Sequence, residues 1–270
     1  ALVDRVLIEQ GRATGVLARI GGETRVFRGR ETVLCAGAVH SPAILMRSGL
    51  GPSMQLRAHG IPVAREMPDV GRNFMDHPML RIRVLLKPEH EMAGRDARHT
   101  NCCVTYSSGL GEGGVRDMIL IGFNHRNIDG VETPDAGGAV GIGLFDAFSR
   151  GEVTLTSADP QADPQVEENM LSDPRDLLRM RDGVRRVREM ARDPALRGIA
   201  TGFELAESGV DLETAADLPD AELDALILAH VGDIQHAAGT CRMSAFRDPQ
   251  GVVNPDLTVK GVPGLRVADA

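Results

Sequence analysis

The 270-residue sequence contains no tryptophan and a single tyrosine, and aromatic residues make up only 3% of it. Few rings are therefore on hand to build an aromatic cage around a quaternary ammonium ligand. Positive charge is not in excess either: 30 basic residues stand against 38 acidic ones, a net charge of −8. That balance excludes broad, non-specific nucleic-acid binding by phosphate neutralisation. No apolar run reaches the roughly 18 residues that a membrane-crossing helix needs. The four cysteines, Cys35, Cys102, Cys103 and Cys241, form no Cys-x-x-Cys pair, so a zinc site of that kind is not expected. They read as reduced thiols in a cytoplasmic or membrane-peripheral protein. No basic-then-apolar leader opens the sequence. Both ends fall on strand-like runs, residues 3–9 and 265–270, so the expectation is a piece of a longer polypeptide.

The rest of the composition is that of a globular chain, 42% hydrophobic and 25% charged. Residues 3–9, 13–19 and 24–28 read as strands joined by tight turns at Gln10-Gly11-Arg12 and Gly21-Gly22. Thr32 to Ala36 is a short apolar strand ending at Gly37. Ser41-Pro42 reads as the cap and first turn of a helix over 42–48, and a second short helix follows over 53–58. Strands are predicted over 79–87, 100–106, 117–124, 140–144 and 151–157, with glycine-rich loops at 108–114 and 129–138. Asp173 and Pro174 start the strongest helix, 173–191, whose apolar stripe is Leu177, Met180, Val184, Val187, Met190 and Ala191. A last helix is predicted over 219–229. Strands and helices alternate unevenly, which predicts a mixed α/β fold of two structural units, the first split in sequence.

Three segments carry candidate chemistry. Cys35-Ala36-Gly37-Ala38-Val39-His40-Ser41-Pro42, continuing to Ser48-Gly49-Leu50-Gly51, is a strand, a small-residue turn and a helix start. Such a turn lets the backbone approach a ligand closely, and the helix N-terminus favours an anion or dipole. Asp69-Val70-Gly71-Arg72-Asn73-Phe74-Met75-Asp76-His77-Pro78 sets a carboxylate beside an imidazole, which is either a hydrogen-bonded turn or a pair in which Asp76 orients His77. His236-Ala237-Ala238-Gly239-Thr240-Cys241-Arg242-Met243 surrounds a histidine with small residues that leave its ring room for a ligand. Cys241 and His236 could also be read as a thiol hydrolase pair, a reading without any sign of an oxyanion hole.

In this order, the three segments resemble signatures of the glucose–methanol–choline oxidoreductase family, down to the closing Gly264-Leu265-Arg266-Val267-Ala268-Asp269-Ala270. Phe74 stands where leucine is usual and Ala237 where proline is usual. The resemblance implies part of an FAD-binding, Rossmann-like domain split in sequence, plus an α+β substrate domain with a mainly antiparallel sheet. The expected boundaries are 1–78 for the first part of the FAD-binding domain, 79–225 for the substrate domain and 226–270 for the return segment with the active-site histidine. It further implies a flavin-dependent oxidation of a small alcohol to an aldehyde or ketone, with His236 as the base and oxygen or a quinone as the electron acceptor. Val3, Ala36, Gly37, Asp269 and Ala270 match positions that contact FAD. Family members begin with a Gly-x-Gly-x-x-Gly loop, the phosphate-binding turn of a Rossmann unit, and the expectation is that this sequence has no such loop. The expected partner is thus the missing N-terminal part of the same enzyme. Two other readings stay open: a non-catalytic truncated module, and a hydroxynitrile lyase of the same family.

Overall fold

A computed structural model describes residues 1–91, 98–124 and 137–269. The chain begins with β1 (Leu2–Glu9), β2 (Arg12–Ile20), β3 (Glu23–Arg28), β4 (Thr32–Leu34), α1 (Gly37–Arg47), β5 (Leu50–Gly51), α2 (Ser53–Ala58), β6 (Arg65–Glu66) and β7 (Arg72–Phe74). It continues with β8 (Met79–Leu86), β9 (Thr100–Tyr106), β10 (Met118–Phe123), β11 (Gly138–Leu144), β12 (Gly151–Thr154) and β13 (Gln165–Glu167). The last third holds α3 (Pro174–Ala191), α4 (Pro194–Ile199), β14 (Ala200–Leu205), β15 (Val210–Asp211), α5 (Leu212–Asp217), α6 (Asp220–His230) and β16 (Leu265–Val267). Among the described residues, no helix is long and apolar enough to cross a membrane.

The chain divides into two compact units. One gathers Ala1–Asp76, Arg150–Met170 and His236–Ala270; the other gathers His77–Ser149 and Leu171–Gln235. The first is thus split in sequence, as the alternation of elements predicts, but into three segments. The expected boundaries assigned all of 79–225 to the second unit. Residues 150–170 instead return to the first, because β12 pairs with β7 through Gly151↔Phe74 and Glu152↔Arg72. A strand cannot leave the sheet that satisfies its backbone. The expected break at 225/226 also moves to 235/236, since α6 and the residues after it stay with the second unit.

In the first unit, β1, β2 and β3 form an antiparallel meander, β7, β12 and β13 a second small sheet, and β4 and β16 a parallel pair. Its core lies between α1 and these sheets and includes Leu34, Ala43, Ile44, Leu45, Met46, Val252, Leu265 and Val267. Two bonds fix the C-terminal end of α1 to β1. Ser48 Oγ accepts from Val6 N–H at 2.8 Å, and Arg47 Nε donates to the Asp4 carbonyl at 2.8 Å.

The second unit is a six-stranded sheet in the order β15-β14-β8-β11-β10-β9, antiparallel at each pairing. The helix predicted over 173–191 forms as α3, with the Asp173 side chain accepting from Arg175 N–H at 2.9 Å and Pro174 in the first turn. Met180, Val184, Val187 and Ala191 face inward, while Met190 is exposed. Asp176 and Arg179 share the inward face, which the apolar stripe does not foretell. Arg179 is 0% exposed, between Asp176 at 2.6 Å and Asp117 at 3.3 Å.

Candidate active site

The turn that opens α1 is the centre of the candidate site. The helix starts at Gly37, not at Pro42 as predicted, and Ala36 precedes it without a side-chain cap. Ser41 therefore lies inside the helix, and its hydroxyl works differently from an N-cap. Ser41 Oγ accepts from Ala36 N–H at 2.9 Å and donates to the Asp269 carboxylate. Asp269 Oδ2 also accepts from Gly37 N–H at 2.8 Å. A carboxylate thus sits on the positive end of α1, where orphan N–H groups favour an anion. The chain end that delivers Asp269 is held by β16 running parallel to β4 and by Ala268 N–H bonding the Leu34 carbonyl at 2.9 Å.

The His236 segment closes on the same turn. Thr240 Oγ1 donates to the Ala38 carbonyl at 2.5 Å. Ala238 and Met75 exchange two main-chain bonds, at 3.0 and 2.8 Å, and Gly71 N–H donates to the Thr240 carbonyl at 3.0 Å. Gly239 adopts φ +92°, and an added Cβ would stand 2.3 Å from the Asn73 carbonyl oxygen, so only glycine fits this approach. His236 itself is exposed, and its main-chain N–H donates to Asp76 Oδ1 at 3.0 Å. The buried Asp76 therefore holds the backbone of His236. His77 packs its ring 4.7 Å from Phe145.

Between these segments lies a cavity of about 450 Å³ whose lining includes Asn73, Met75, Arg150, Ala238, Cys241 and Asp269. Its lining extends from Asp269 to the segment that follows His236. At Gly37, with φ +80°, an added Cβ would meet no atom within 4 Å, and Cys35 and Ala36 beside it are exposed. The side of the turn that a side chain would fill is open. Its two N–H groups are already bonded to Ser41 and Asp269, so it offers a ligand its apolar face rather than free donors.

Of the residues singled out from the sequence, the structure brings together Ala36, Gly37 and Asp269, and links His236 to them through Thr240. Val3 is elsewhere: it pairs with Ala18 on β1, next to the Asp4 carbonyl that Arg47 bonds. It thus lies near the C-terminal end of α1, an 11-residue helix about 16 Å long. Ala270 lies outside the described residues. Arg150 escaped the sequence reading. Its guanidinium donates to Asn73 Oδ1 at 3.2 Å, and its carbonyl accepts from Asn169 at 2.9 Å.

The thiol reading of Cys241 does not survive. Burial, aided by the charge of Asp269, pushes this thiol up to about 12, so it carries no thiolate for nucleophilic attack at neutral pH. Among the described residues, no group of three or more metal-binding side chains occurs. The spacing Gly109-x-Gly111-x-x-Gly114 does match a phosphate turn. It joins β9 to β10, which pair antiparallel, so no helix follows to receive a pyrophosphate.

Family models described as GMC oxidoreductase match residues 1–79 and 147–270. An oxygen-dependent choline dehydrogenase of Sinorhizobium medicae is 34% identical, covering 98% of this chain and 51% of its own length. A 5-(hydroxymethyl)furfural oxidase of Methylovorus sp. is 37% identical, covering 98% and 50%. Among solved structures, pyridoxine 4-oxidase from Mesorbium loti superposes with a TM-score of 0.84 at 26% identity, over 99% of this chain and 51% of that one. A variant formate oxidase of Aspergillus oryzae shares the fold, with a TM-score of 0.85 at 24% identity over 100% of this chain and 55% of the other. The chain spans about half the length of the curated relatives it matches.

Proposed function

This chain belongs to the GMC oxidoreductase family, and we propose that it supplies the base and part of the cofactor cradle of an FAD-dependent alcohol oxidoreductase. One observation carries the proposal: Thr240 and Asp269, from the segments holding His236 and the chain end, both bond the open turn at 36–41, beside a cavity of about 450 Å³. The open side of Gly37, the small residues around it and the apolar walls of that cavity fit a flat ring system. Ala36 and Gly37 would meet the flavin through their backbone, with Asp269 near its ribityl chain and pyrophosphate and Val3 toward the adenine. When bound, a flavin supplies the acceptor for a hydride.

His236 is the proposed base. It takes the hydroxyl proton of the alcohol, because an alkoxide gives up the hydride on its carbinol carbon far more readily than a neutral alcohol does. Imidazole suits this task because its ordinary pKa lies near working pH. Asp76 and the Met75–Ala238 bonds hold the main chain on either side of it, so the ring starts from a fixed Cα. The proposed substrate is a small alcohol and the proposed acceptor oxygen, since the similar curated proteins are named an oxygen-dependent dehydrogenase and an oxidase.

The test is anaerobic mixing of the flavin-loaded full-length protein, of which this chain is the expected part, with a panel of primary alcohols, followed by flavin absorbance. Bleaching by an alcohol that slows at least 100-fold in His236→Ala, in line with general-base contributions of about 10²–10⁴, supports the assignment. An unchanged rate removes His236 as the base. We also propose that these 270 residues alone hold FAD weakly, because no strand–phosphate turn–helix unit occurs among the described ones. Stoichiometric FAD on the purified chain would refute this.

A further inference from the structure

We propose that Thr240 is a positioning residue whose hydroxyl locks the His236 segment to the opening turn of α1; the proposal rests on the alcohol-oxidation reading above. The reason begins with Pro42, which lies inside α1. A helical carbonyl normally accepts from the N–H four residues on, and proline has none. The carbonyl left without its regular donor is that of Ala38, and Ala38 is only 7% exposed. A buried carbonyl needs a partner. Thr240, itself 0% exposed, provides one through its hydroxyl.

That bond joins positions 202 residues apart in sequence, and the chain on each side of it has little slack. Thr240's own carbonyl accepts from Gly71 N–H. Gly239 packs against the Asn73 backbone, Ala238 is bridged to Met75, and His236 N–H is bonded to Asp76. At the other end, Ala38 follows the turn that Ser41 and Asp269 hold through Ala36 and Gly37. The Thr240 hydroxyl is therefore the link through which the base and the open turn keep one spacing. Hydride chemistry is sensitive to such spacing, and a misplacement of about 1 Å can cost on the order of a hundredfold in rate.

The experiment compares Thr240→Val, which keeps the shape and removes the donor, with Thr240→Ser, which keeps the donor. Amide hydrogen exchange on the 270-residue chain needs no flavin. Thr240→Val should speed exchange at Ala36–Gly37 and at His236–Ala238 together, and Thr240→Ser should leave both near wild type. In flavin-loaded enzyme, Thr240→Val should lower the limiting rate of flavin reduction per bound flavin by about 10- to 100-fold, and Thr240→Ser should restore it to within about twofold. Pro42→Ala gives α1 back the missing N–H, so Thr240→Val should have a smaller effect on exchange in that background. Exchange that rises at one segment alone, a valine variant that reduces its flavin at the wild-type rate, or an undiminished effect in the Pro42→Ala background would each overturn the proposal. If wild type is not reduced by any alcohol, the reaction reading falls, while the exchange and double-variant results still decide the link.

Discussion

Replacing Gly239 by alanine should cost about 3–4 kcal/mol, well beyond the same replacement at Gly60, from backbone strain and from the bonds that a steric clash breaks. An L-residue in left-handed backbone costs about 1–2 kcal/mol, and Gly239 sits at φ +92°. The new Cβ would stand 2.3 Å from the Asn73 carbonyl oxygen and 2.9 Å from its Nδ2, where ordinary contact begins at 3.4 Å. Asn73 cannot retreat freely, because it lies on β7, whose neighbours Arg72 and Phe74 pair with β12. The remaining way out is for the Ala238 side to move, which sacrifices the two bonds to Met75 at about 1 kcal/mol each. For a unit of this size 1 kcal/mol shifts the melting temperature by roughly 3 °C, so Gly239→Ala should melt about 9–12 °C below wild type. Gly60 is the control, with φ +69° and nothing within 4 Å of an added Cβ; there only the backbone cost of about 1–2 kcal/mol applies. Thermal unfolding by circular dichroism on both variants reads the difference. If Gly239→Ala melts no lower than Gly60→Ala, the close approach between the segments at 71–76 and 236–240 is wrong, and with it the fixed path from Asn73 to His236.

Arg179→Met should destabilise the second unit by about 3–5 kcal/mol, because it strips a buried cation from two buried carboxylates. Burial alone would raise the Asp117 carboxyl, but the Ser108 hydroxyl and amide together with Arg179 outweigh it and hold it below its ordinary value. A depressed folded value gives stability that is complete above an unfolded pKa of about 4 and is lost as the pH falls through the folded one. The deficit of Arg179→Met should accordingly be widest at neutral pH and shrink on acidification below about pH 4; denaturant titrations at pH 7 and in acid that give equal deficits would contradict this. Native alkylation followed by mass spectrometry should label the exposed Cys35, Cys102 and Cys103 and spare Cys241, whose thiol is pushed up to about 12, until the chain is unfolded. Ser41→Ala should lose about 1–3 kcal/mol, since the Ala36 N–H and the Asp269 carboxylate lose their shared partner; a melting temperature equal to wild type would show that water replaces the hydroxyl.

The roles of the two units in the proposed chemistry differ. The first contains the turn, the cavity, Asp76 and His236, all built from residues of one compact body. The second offers a broad antiparallel sheet whose helix α3 is anchored by the Asp117–Arg179–Asp176 cluster. Asp176 also accepts from Phe148 N–H and from the Ser149 N–H and hydroxyl. The cluster thus fixes the loop that leads to Arg150, the residue at which the chain returns to the first unit.

Local pattern was enough for much of this molecule. The period and cap of 173–191 foretold α3, the tight turns foretold the β1–β3 meander, and the three ordered segments led to the family. These features depend on residues a few positions apart, and the sequence displays such neighbours directly. Ser41-Pro42 shows the limit of that reading. Adjacency suggested a helix cap, but the hydroxyl belongs to Asp269, 228 residues away, and the proline leaves a carbonyl that Thr240 satisfies from 202 residues away. Asp76 stands beside His77 in sequence, and only the fold reveals that it also accepts from the His236 main chain across 160 residues. Hydrogen-bonding capacity is written in residue type, whereas the choice of partner waits until the folded backbone brings a donor and an acceptor within about 3 Å of each other away from water.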